Sequence, residues 1–162
     1  MTERPLFIPS IYGSQVLSEG SDGVGQSTDP ATGAVIAEFA RAGALEVDLA
    51  VAAARNAFDN GPWRKMRPFE RGRVLQRIGE LILSKRDAIA RLESTDSGKP
   101  LRDAYWEVDC SARFFEFYGG AVDKLHGSSI PLGPDWSDWT VKDAIGVSLH
   151  IIPWNYPFQL IA

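Results

Sequence analysis

The feature that most constrains the fold is an uncharged run at residues 144–152, with a proline directly after it. Its sequence, Ala-Ile-Gly-Val-Ser-Leu-His-Ile-Ile, is almost continuously apolar or small. Such a run, rather than a strict alternation, is typical of a strand buried on both faces, as in a parallel sheet covered by helices. Pro153 ends the strand because it has no N–H to donate, and Pro157 suits the first turn of a helix. Trp154 and Asn155 are therefore predicted in a tight turn at the carboxyl end of a buried strand, where open α/β sheets bind ligands.

This turn resembles a family signature. Residues 151–158, Ile-Ile-Pro-Trp-Asn-Tyr-Pro-Phe, are similar to the Pro-Trp-Asn-Phe-Pro signature of the aldehyde dehydrogenase superfamily, and Ile-Gly-Val precedes them. The resemblance implies that the amide of Asn155 helps stabilise the oxyanion formed when a cysteine thiolate attacks an aldehyde. A fixed amide stabilises such charge without titrating; the alternative is that Asn155 caps the next helix. The cofactor-binding residues that the resemblance implies are Ile151, Ile152, Pro153 and Trp154.

Two further stretches resemble the same family, in the same order along the chain. Residues 29–36, Asp-Pro-Ala-Thr-Gly-Ala-Val-Ile, are similar to its Asn-Pro-Ala-Thr-Gly-Glu-Val-Ile opening. Residues 96–100, Asp-Ser-Gly-Lys-Pro, are similar to an element that ends a helix before a long one. In several members the aspartate that matches Asp96 helps bind a monovalent cation, with a backbone carbonyl near the position of Thr28; a plain helix-end aspartate is the alternative. The collinear order favours the oxyanion role of Asn155 over the cap.

Apolar spacing and turn residues predict the remaining elements. Residues 1–33 are rich in Gly, Ser and Pro and are expected to form a loop-rich entry, before a short strand at residues 35–39. Gly98 is placed to adopt a left-handed C-cap. Helices are predicted over residues 44–58, from Pro68, from about Arg86 to Gly98, and from Leu101 to about Lys124.

The fold class that follows is α/β, a partial Rossmann-like cofactor-binding domain with an incomplete sheet and a projecting β-hairpin arm. Two short extended segments around a Gly-Pro turn are predicted within residues 126–143, and the resemblance implies that residues 127–142 form an arm that joins an oligomerisation domain. The predicted organisation is 1–125 as the first part of the cofactor-binding domain, 126–143 as the oligomerisation hairpin, and 144–162 as the first strand and turn of the dinucleotide-binding sheet.

Composition excludes several function classes. The net charge of −4 and a pI near 5.2 give no support for a nucleic-acid or anionic-membrane partner. Residues 144–162 carry no charge, but two prolines together with His150, Asn155 and Gln159 argue against a membrane span. A single cysteine and the lack of an apolar signal core favour a reducing, cytoplasmic compartment. That cysteine, Cys110, has no cationic neighbour in sequence and is interpreted as a packing residue.

The resemblance also implies parts that the sequence lacks. The family's cysteine nucleophile, its general-base glutamate and its adenosine-ribose-binding lysine occupy elements that do not occur here. We therefore expect a chain from the N-terminal portion of an NAD- or NADP-dependent aldehyde dehydrogenase that is inactive alone and forms homo-oligomers or associates with a full-length homologue. Two alternatives remain open: a non-catalytic module that binds such a homologue, and a small membrane-associated protein that uses the uncharged tail.

Overall fold

The computed structural model describes residues 5–162 of the chain. Short strands come first, a group of helices follows, and a small hairpin precedes the C-terminal turn. The helices are α1 (Ala44–Asn60), α2 (Pro62–Lys65), α3 (Pro68–Ser84), α4 (Arg86–Ser97), α5 (Leu101–Ala121) and α6 (Pro157–Ile161). The strands are β1 (Leu6–Ile8), β2 (Ser10–Tyr12), β3 (Gln15–Leu17), β4 (Val24–Thr28), β5 (Val35–Ala40), β6 (Ser129–Ile130) and β7 (Asp138–Trp139).

The first strands correct the prediction of a loop-rich entry over residues 1–33. Strand β5 is the centre of a three-stranded sheet, paired in parallel with β1 and antiparallel with β4, and β2 and β3 form a separate hairpin. Strands β1 and β4 are only three and five residues long. Their sheet partner lies later in the chain, so local composition carries no signal for the pairing. Residues 1–4 lie outside the described residues.

The turn between β4 and β5 is fixed by its own side chains. The carboxylate of Asp29 accepts hydrogen bonds from the Ala31 N–H at 2.8 Å and from the Thr32 hydroxyl at 2.9 Å. These bonds favour the charged form and lower the pKa of Asp29. Gly33 follows with φ of 73°, a left-handed conformation that glycine adopts without a Cβ clash. Asp29 therefore acts as the Asx-turn residue that returns the chain into β5.

The predicted helices are confirmed, and α3 and α5 pack through glycine. A Cβ added at Gly72 of α3 would lie 2.5 Å from the carbonyl oxygen of Gly119 in α5. The two backbones therefore approach more closely than any larger residue would allow. Helix α5 ends at Ala121, short of the predicted Lys124, and the four-residue α2 was not predicted.

Helices α4 and α5 are linked by an ion pair at the start of α4 and by the short connecting loop at its end. At the start of α4, Arg86 and Asp109 form a two-bond ion pair, with contacts of 2.5 and 2.7 Å, which lowers the pKa of Asp109. At its end, Gly98 has φ of 73° and its N–H bonds to the carbonyl of Ser94, as predicted for a left-handed C-cap. Between these ends lies a buried cluster formed by Ala90, Ala104 and Val108, against which Phe158 of α6 packs.

Residues 144–152 do not form the predicted buried strand. They belong to no strand of the described structure, and Ile145, Leu149 and Ile151 are 99%, 85% and 86% exposed. A strand that is to be buried on both faces needs neighbouring strands and covering helices, and residues 5–162 provide neither for this segment. The apolar run at residues 144–152 thus indicates a burial on both faces that residues 5–162 do not provide.

The hairpin within residues 126–143 is present. Strands β6 and β7 pair antiparallel, with Ser129 opposite Trp139, and the Thr140 N–H also bonds to the carbonyl of Ser128 at 2.9 Å. Gly133 at the turn has φ of 120°. Trp136 and Trp139 are both exposed. Among residues 5–162, no helix combines the length and the apolar character that a bilayer crossing requires.

Candidate functional site

The predicted turn is present between the extended segment and α6. Pro157 is the first residue of α6, where its missing N–H costs nothing. The residue at the N-cap position is Tyr156, and its own side chain makes no capping hydrogen bond. Asn155 therefore lies one residue outside the cap position, and the helix-cap alternative is wrong. Both Trp154 and Asn155 are exposed, so the amide of Asn155 is open to a ligand.

The backbone of the turn is held by a lysine from the loop between α4 and α5. The ammonium of Lys99 donates a hydrogen bond to the carbonyl oxygen of Asn155 at 3.0 Å, across 56 residues of sequence. The same ammonium lies 4.9 Å from the ring centroid of Tyr156, within cation–π distance. Lys99, which belongs to the element at residues 96–100, thus contacts the turn at residues 153–156 directly.

Two carboxylates surround this lysine. The ammonium of Lys99 is ion-paired with Glu107 of α5 and lies 2.7 Å from Oε1 of Glu93 in α4, in a geometry outside that of a regular hydrogen bond. The side chains of Glu93, Lys99 and Glu107 are 9%, 13% and 0% exposed. With both glutamates ionised the cluster carries one excess negative charge in a buried place.

Burial and charge act in opposite directions on these groups. Burial raises the pKa of Glu93 more than the adjacent Lys99 lowers it, and the charge of Glu107 raises it further. Burial lowers the pKa of Lys99, but its contacts with Glu107 and Glu93 outweigh that effect, so its pKa is raised. Lys99 is therefore a cation near neutral pH, and the protonated form of Glu93 is favoured relative to that of an exposed glutamate.

Glu107 also binds α6 directly. Its Oε1 accepts the backbone N–H of Gln159 at 3.1 Å, while its Oε2 faces Lys99. Phe158, the neighbour of Gln159, packs on the core cluster of α4 and α5. The turn at residues 153–156 is therefore anchored on both sides, by Lys99 before α6 and by Glu107 within its first turn.

Sequence reasoning missed this cluster of Glu93, Lys99 and Glu107. One signal was available: Glu107 lies on the buried face of α5, beside Ala104, Val108 and Ser111, where an unpaired carboxylate would be costly. A glutamate on such a face indicates a cationic partner. The identity of that partner depends on the loop conformation at Gly98, which the spacing along α5 does not report.

The two residues predicted to bind a cation lie in the same region of the fold. Asp96 accepts a hydrogen bond of 2.5 Å from the hydroxyl of Ser27, which is the neighbour of Thr28 at the end of β4. Asp96 and Ser27 line a groove of about 380 Å³ together with Phe158 of α6. Among residues 5–162, no three His, Cys, Asp or Glu side chains are arranged to hold a metal ion. The cation role of Asp96 and Thr28 remains a prediction.

The thiol of the chain lies elsewhere. Cys110 is half-buried in α5 and lines a groove of about 740 Å³ with Phe114 and Phe117, a groove that Asn155 does not line. Arg113 also lines this groove. This arrangement agrees with the interpretation of Cys110 as a packing residue.

Known proteins are similar to this chain in both sequence and fold. The sequence profile of the "Aldehyde dehydrogenase family" matches residues 17–162. Aldehyde dehydrogenase family 2 member B4, mitochondrial, from Arabidopsis thaliana is 44% identical over 135 residues, which cover 83% of this chain and 25% of that protein. The chain therefore spans about a quarter of the length of this relative.

Solved structures agree. The NAD-dependent aldehyde dehydrogenase from Sinorhizobium meliloti superposes with a TM-score of 0.90 at 30% identity, over 98% of this chain and 32% of that enzyme. An NAD⁺ complex of the Bacillus cereus aldehyde dehydrogenase superposes with a TM-score of 0.89 at 31% identity, over 95% of this chain and 32% of that enzyme. The match of residues 17–162 and the superposition over nearly the whole chain show that the protein belongs to the aldehyde dehydrogenase family, with the fold of part of its α/β cofactor-binding domain.

Proposed function

We propose that this chain supplies the N-terminal part of the cofactor-binding domain of an NAD(P)-dependent aldehyde dehydrogenase that oxidises an aldehyde to a carboxylic acid. The observation that carries the proposal is the exposed Asn155 in a turn that Lys99 anchors from the protein interior. In this role the Asn155 side chain donates an N–H to the oxygen that becomes negative when a thiolate adds to the aldehyde carbonyl. The backbone of residues 151–154 then faces the dinucleotide, whose nicotinamide accepts the hydride when bound.

The nucleophilic thiolate in this proposal is not Cys110. Attack requires a thiol within reach of the oxygen that Asn155 contacts, and Cys110 opens into a different groove on α5. We therefore expect the 162-residue chain to have no dehydrogenase activity by itself. Formation of NADH from an aldehyde and NAD⁺ by the purified chain, abolished by Asn155→Ala, would contradict this.

The direct test of the Asn155 role is reconstitution. The chain is co-expressed with the part of the Sinorhizobium meliloti enzyme that follows its matched region, and NADH formation is followed by absorbance. We expect activity from the complex and a loss of about 10²- to 10³-fold in kcat with Asn155→Ala, the cost of removing one oxyanion donor. Equal kcat for the two complexes would refute the catalytic role of Asn155.

Three finer parts of the proposal have tests of their own. If Asp96 and the carbonyl of Thr28 hold a monovalent cation, replacing K⁺ and Na⁺ by a bulky organic cation should lower the melting temperature of the wild type more than that of Asp96→Ala. The homo-oligomer part predicts an assembly larger than a monomer in sedimentation. A cytoplasmic location is tested by fractionation, and the Arabidopsis relative is named as mitochondrial.

The second candidate function is that of a non-catalytic module that joins a full-length homologue. The observation that favours it is the exposed apolar surface of the hairpin, with Trp136 and Trp139 at 72% and 66% exposure. Trp residues dominate the energetics of many interfaces. This function predicts that the chain co-purifies with a full-length homologue, that Trp136→Ala with Trp139→Ala abolishes the association, and that Asn155→Ala leaves it unchanged.

A further inference from the structure

We propose that Lys99 is a positioning residue for Asn155, and that Glu107 and Glu93 hold Lys99 in place for that role. The inference rests on the proposed function of Asn155 as an oxyanion donor. Lys99 itself contacts only the main-chain carbonyl of that residue, on the protein side of the turn. It acts on the reaction through the backbone that carries the Asn155 amide.

The number of donors and acceptors supports this assignment. An ammonium has three protons, and Lys99 has three oxygen neighbours, from Glu93, Glu107 and the carbonyl of Asn155. Glu107 has two oxygens, of which one faces Lys99 and the other accepts the Gln159 N–H. A cluster that only joined α4 to α5 would need no contact with the turn or with α6. Here the third oxygen neighbour of Lys99 belongs to the turn, and the partner of the second Glu107 oxygen belongs to α6.

The positions of the two anchors explain why the amide direction follows from them. One anchor is the carbonyl of Asn155 and the other is the N–H of Gln159, four residues later. Together they restrict the position and the orientation of the turn relative to α5. An asparagine side chain is short and has only two rotatable bonds, so the position of the backbone at Asn155 largely decides where its amide can lie. An oxyanion donor must be placed within tenths of an ångström before the reaction, and a misplacement of about 1 Å can cost about 10²-fold in rate.

The first experiment reads the turn without any activity. The amide exchange of Gln159 is measured by ¹H–¹⁵N NMR in the 162-residue chain for the wild type, Lys99→Met, Glu107→Gln and the control Lys65→Met, which changes an exposed lysine of α2. We expect exchange to accelerate about tenfold or more in Lys99→Met. Glu107→Gln, which keeps the side-chain shape and the acceptor for Gln159, should have a smaller effect. Lys65→Met should match the wild type.

The second experiment reads positioning in the reconstituted complex. Lys99→Met should lower kcat by about 10- to 100-fold with little change in the KM for the aldehyde, and the same substitution in an Asn155→Ala background should lower it no further. A residue that merely stabilises the fold would instead give equal losses in both backgrounds. Partial recovery of kcat with Lys99→Arg, which keeps the charge, is also expected.

The outcomes separate the two proposals. Unchanged Gln159 exchange in both Lys99→Met and Glu107→Gln would overturn the positioning role, as would independent kcat losses for Lys99→Met and Asn155→Ala. If Asn155→Ala leaves kcat unchanged while Lys99→Met still accelerates exchange, the cluster positions the turn but Asn155 is not the oxyanion donor. If Lys99→Met fails to fold, the decision falls to Glu107→Gln, whose shape matches the wild type.

Discussion

The helices α4 and α5 and the segment at residues 144–152 are both rich in apolar residues, yet only the helices bury some of theirs, in the cluster of Ala90, Ala104 and Val108. Val108 of α5 is fully buried against α4, whereas Ile145 is 99% exposed. A helix satisfies its own backbone hydrogen bonds, so it needs only one neighbour to cover its apolar stripe. A strand that is buried on both faces needs partner strands at its edges and covers on both faces. The apolar content of the segment therefore indicates a burial that requires further protein.

The turn that carries Asn155 lies between these two regions. Its upstream side continues into the exposed segment, and its downstream side is attached to the helices through Lys99, Glu107 and Phe158. The described chain therefore contains an organised turn next to an unpaired strand sequence.

The largest expected effect is at the closest helix contact. Gly72→Ala places a methyl group in steric conflict with the carbonyl of Gly119, since the Cβ would be 2.5 Å from that oxygen. Helices α3 and α5 would have to separate, and we expect a loss of about 3 kcal/mol in the free energy of unfolding. Chemical denaturation followed by circular dichroism measures this loss.

Gly120 of α5 offers the matched control for that substitution. A Cβ there meets nothing within 4 Å. Gly120→Ala should therefore raise the free energy of unfolding by about 0.5–1 kcal/mol, through the better helix propensity of alanine. If both substitutions had the same effect, the close α3–α5 contact would not be what holds the helical region together.

A second pair of variants makes the same valine-to-alanine change in the helices and in the exposed chain that leads into residues 144–152. Val108→Ala removes two methyl groups from the core cluster of α4 and α5 and should cost about 2 kcal/mol of unfolding free energy. Val141→Ala removes the same groups from a residue that is 69% exposed and should change that free energy by less than about 0.5 kcal/mol. A large cost at Val141 would mean that the chain leading into residues 144–152 packs in solution.

The helices could be predicted from sequence because their signals are local. Pro68 marks the start of α3, and Gly98 ends α4 in the left-handed conformation that its position indicates. The strands before residue 33 were missed because they are only three to five residues long and because β1 pairs with β5, far along the chain. Residues 144–152 were predicted as a strand from their composition, and composition does not reveal whether partner strands are present.

The candidate site was predicted in part. The motif gave the position of Asn155, and the structure excludes the cap alternative because Tyr156 takes the N-cap position. The support behind the turn was not predicted, since Lys99 reaches Asn155 only through the chain reversal at Gly98. A buried glutamate on the apolar face of α5 was the signal that pointed to it.

A third prediction concerns the pH dependence of the buried cluster. The pKa of Glu93 is raised above its ordinary value of 4.5, chiefly by burial, with Lys99 opposing and Glu107 and Asp96 adding to the shift. A carboxyl group whose pKa is higher in the folded state than in the unfolded state does not change the free energy of unfolding below pH 4.5. That free energy falls as the pH rises through the folded pKa. Lys99 stays charged over this range because its pKa is raised.

Glu93→Gln removes the titration and keeps the side-chain shape. We expect the free energy of unfolding of the wild type to fall relative to that of Glu93→Gln as the pH rises above 4.5, measured by urea denaturation at several pH values. Glu80→Gln, on the exposed face of α3, is the control and should run parallel to the wild type. A wild type that gains stability relative to Glu93→Gln with rising pH would show that the Lys99 ion pair outweighs the burial of Glu93.

The smallest expected effect on unfolding comes from the exposed segment. Leu149→Lys changes a side chain that is 85% exposed, so the free energy of unfolding should change by less than about 0.5 kcal/mol. Self-association should nevertheless weaken, because a row of exposed aliphatic residues with free backbone groups promotes pairing between chains and a lysine blocks it. Sedimentation velocity over a concentration series measures the association, with Lys65→Met as a surface control. Unchanged association together with a large loss of unfolding free energy would show that residues 144–152 are packed within the chain, and the contrast between the two regions would then be wrong.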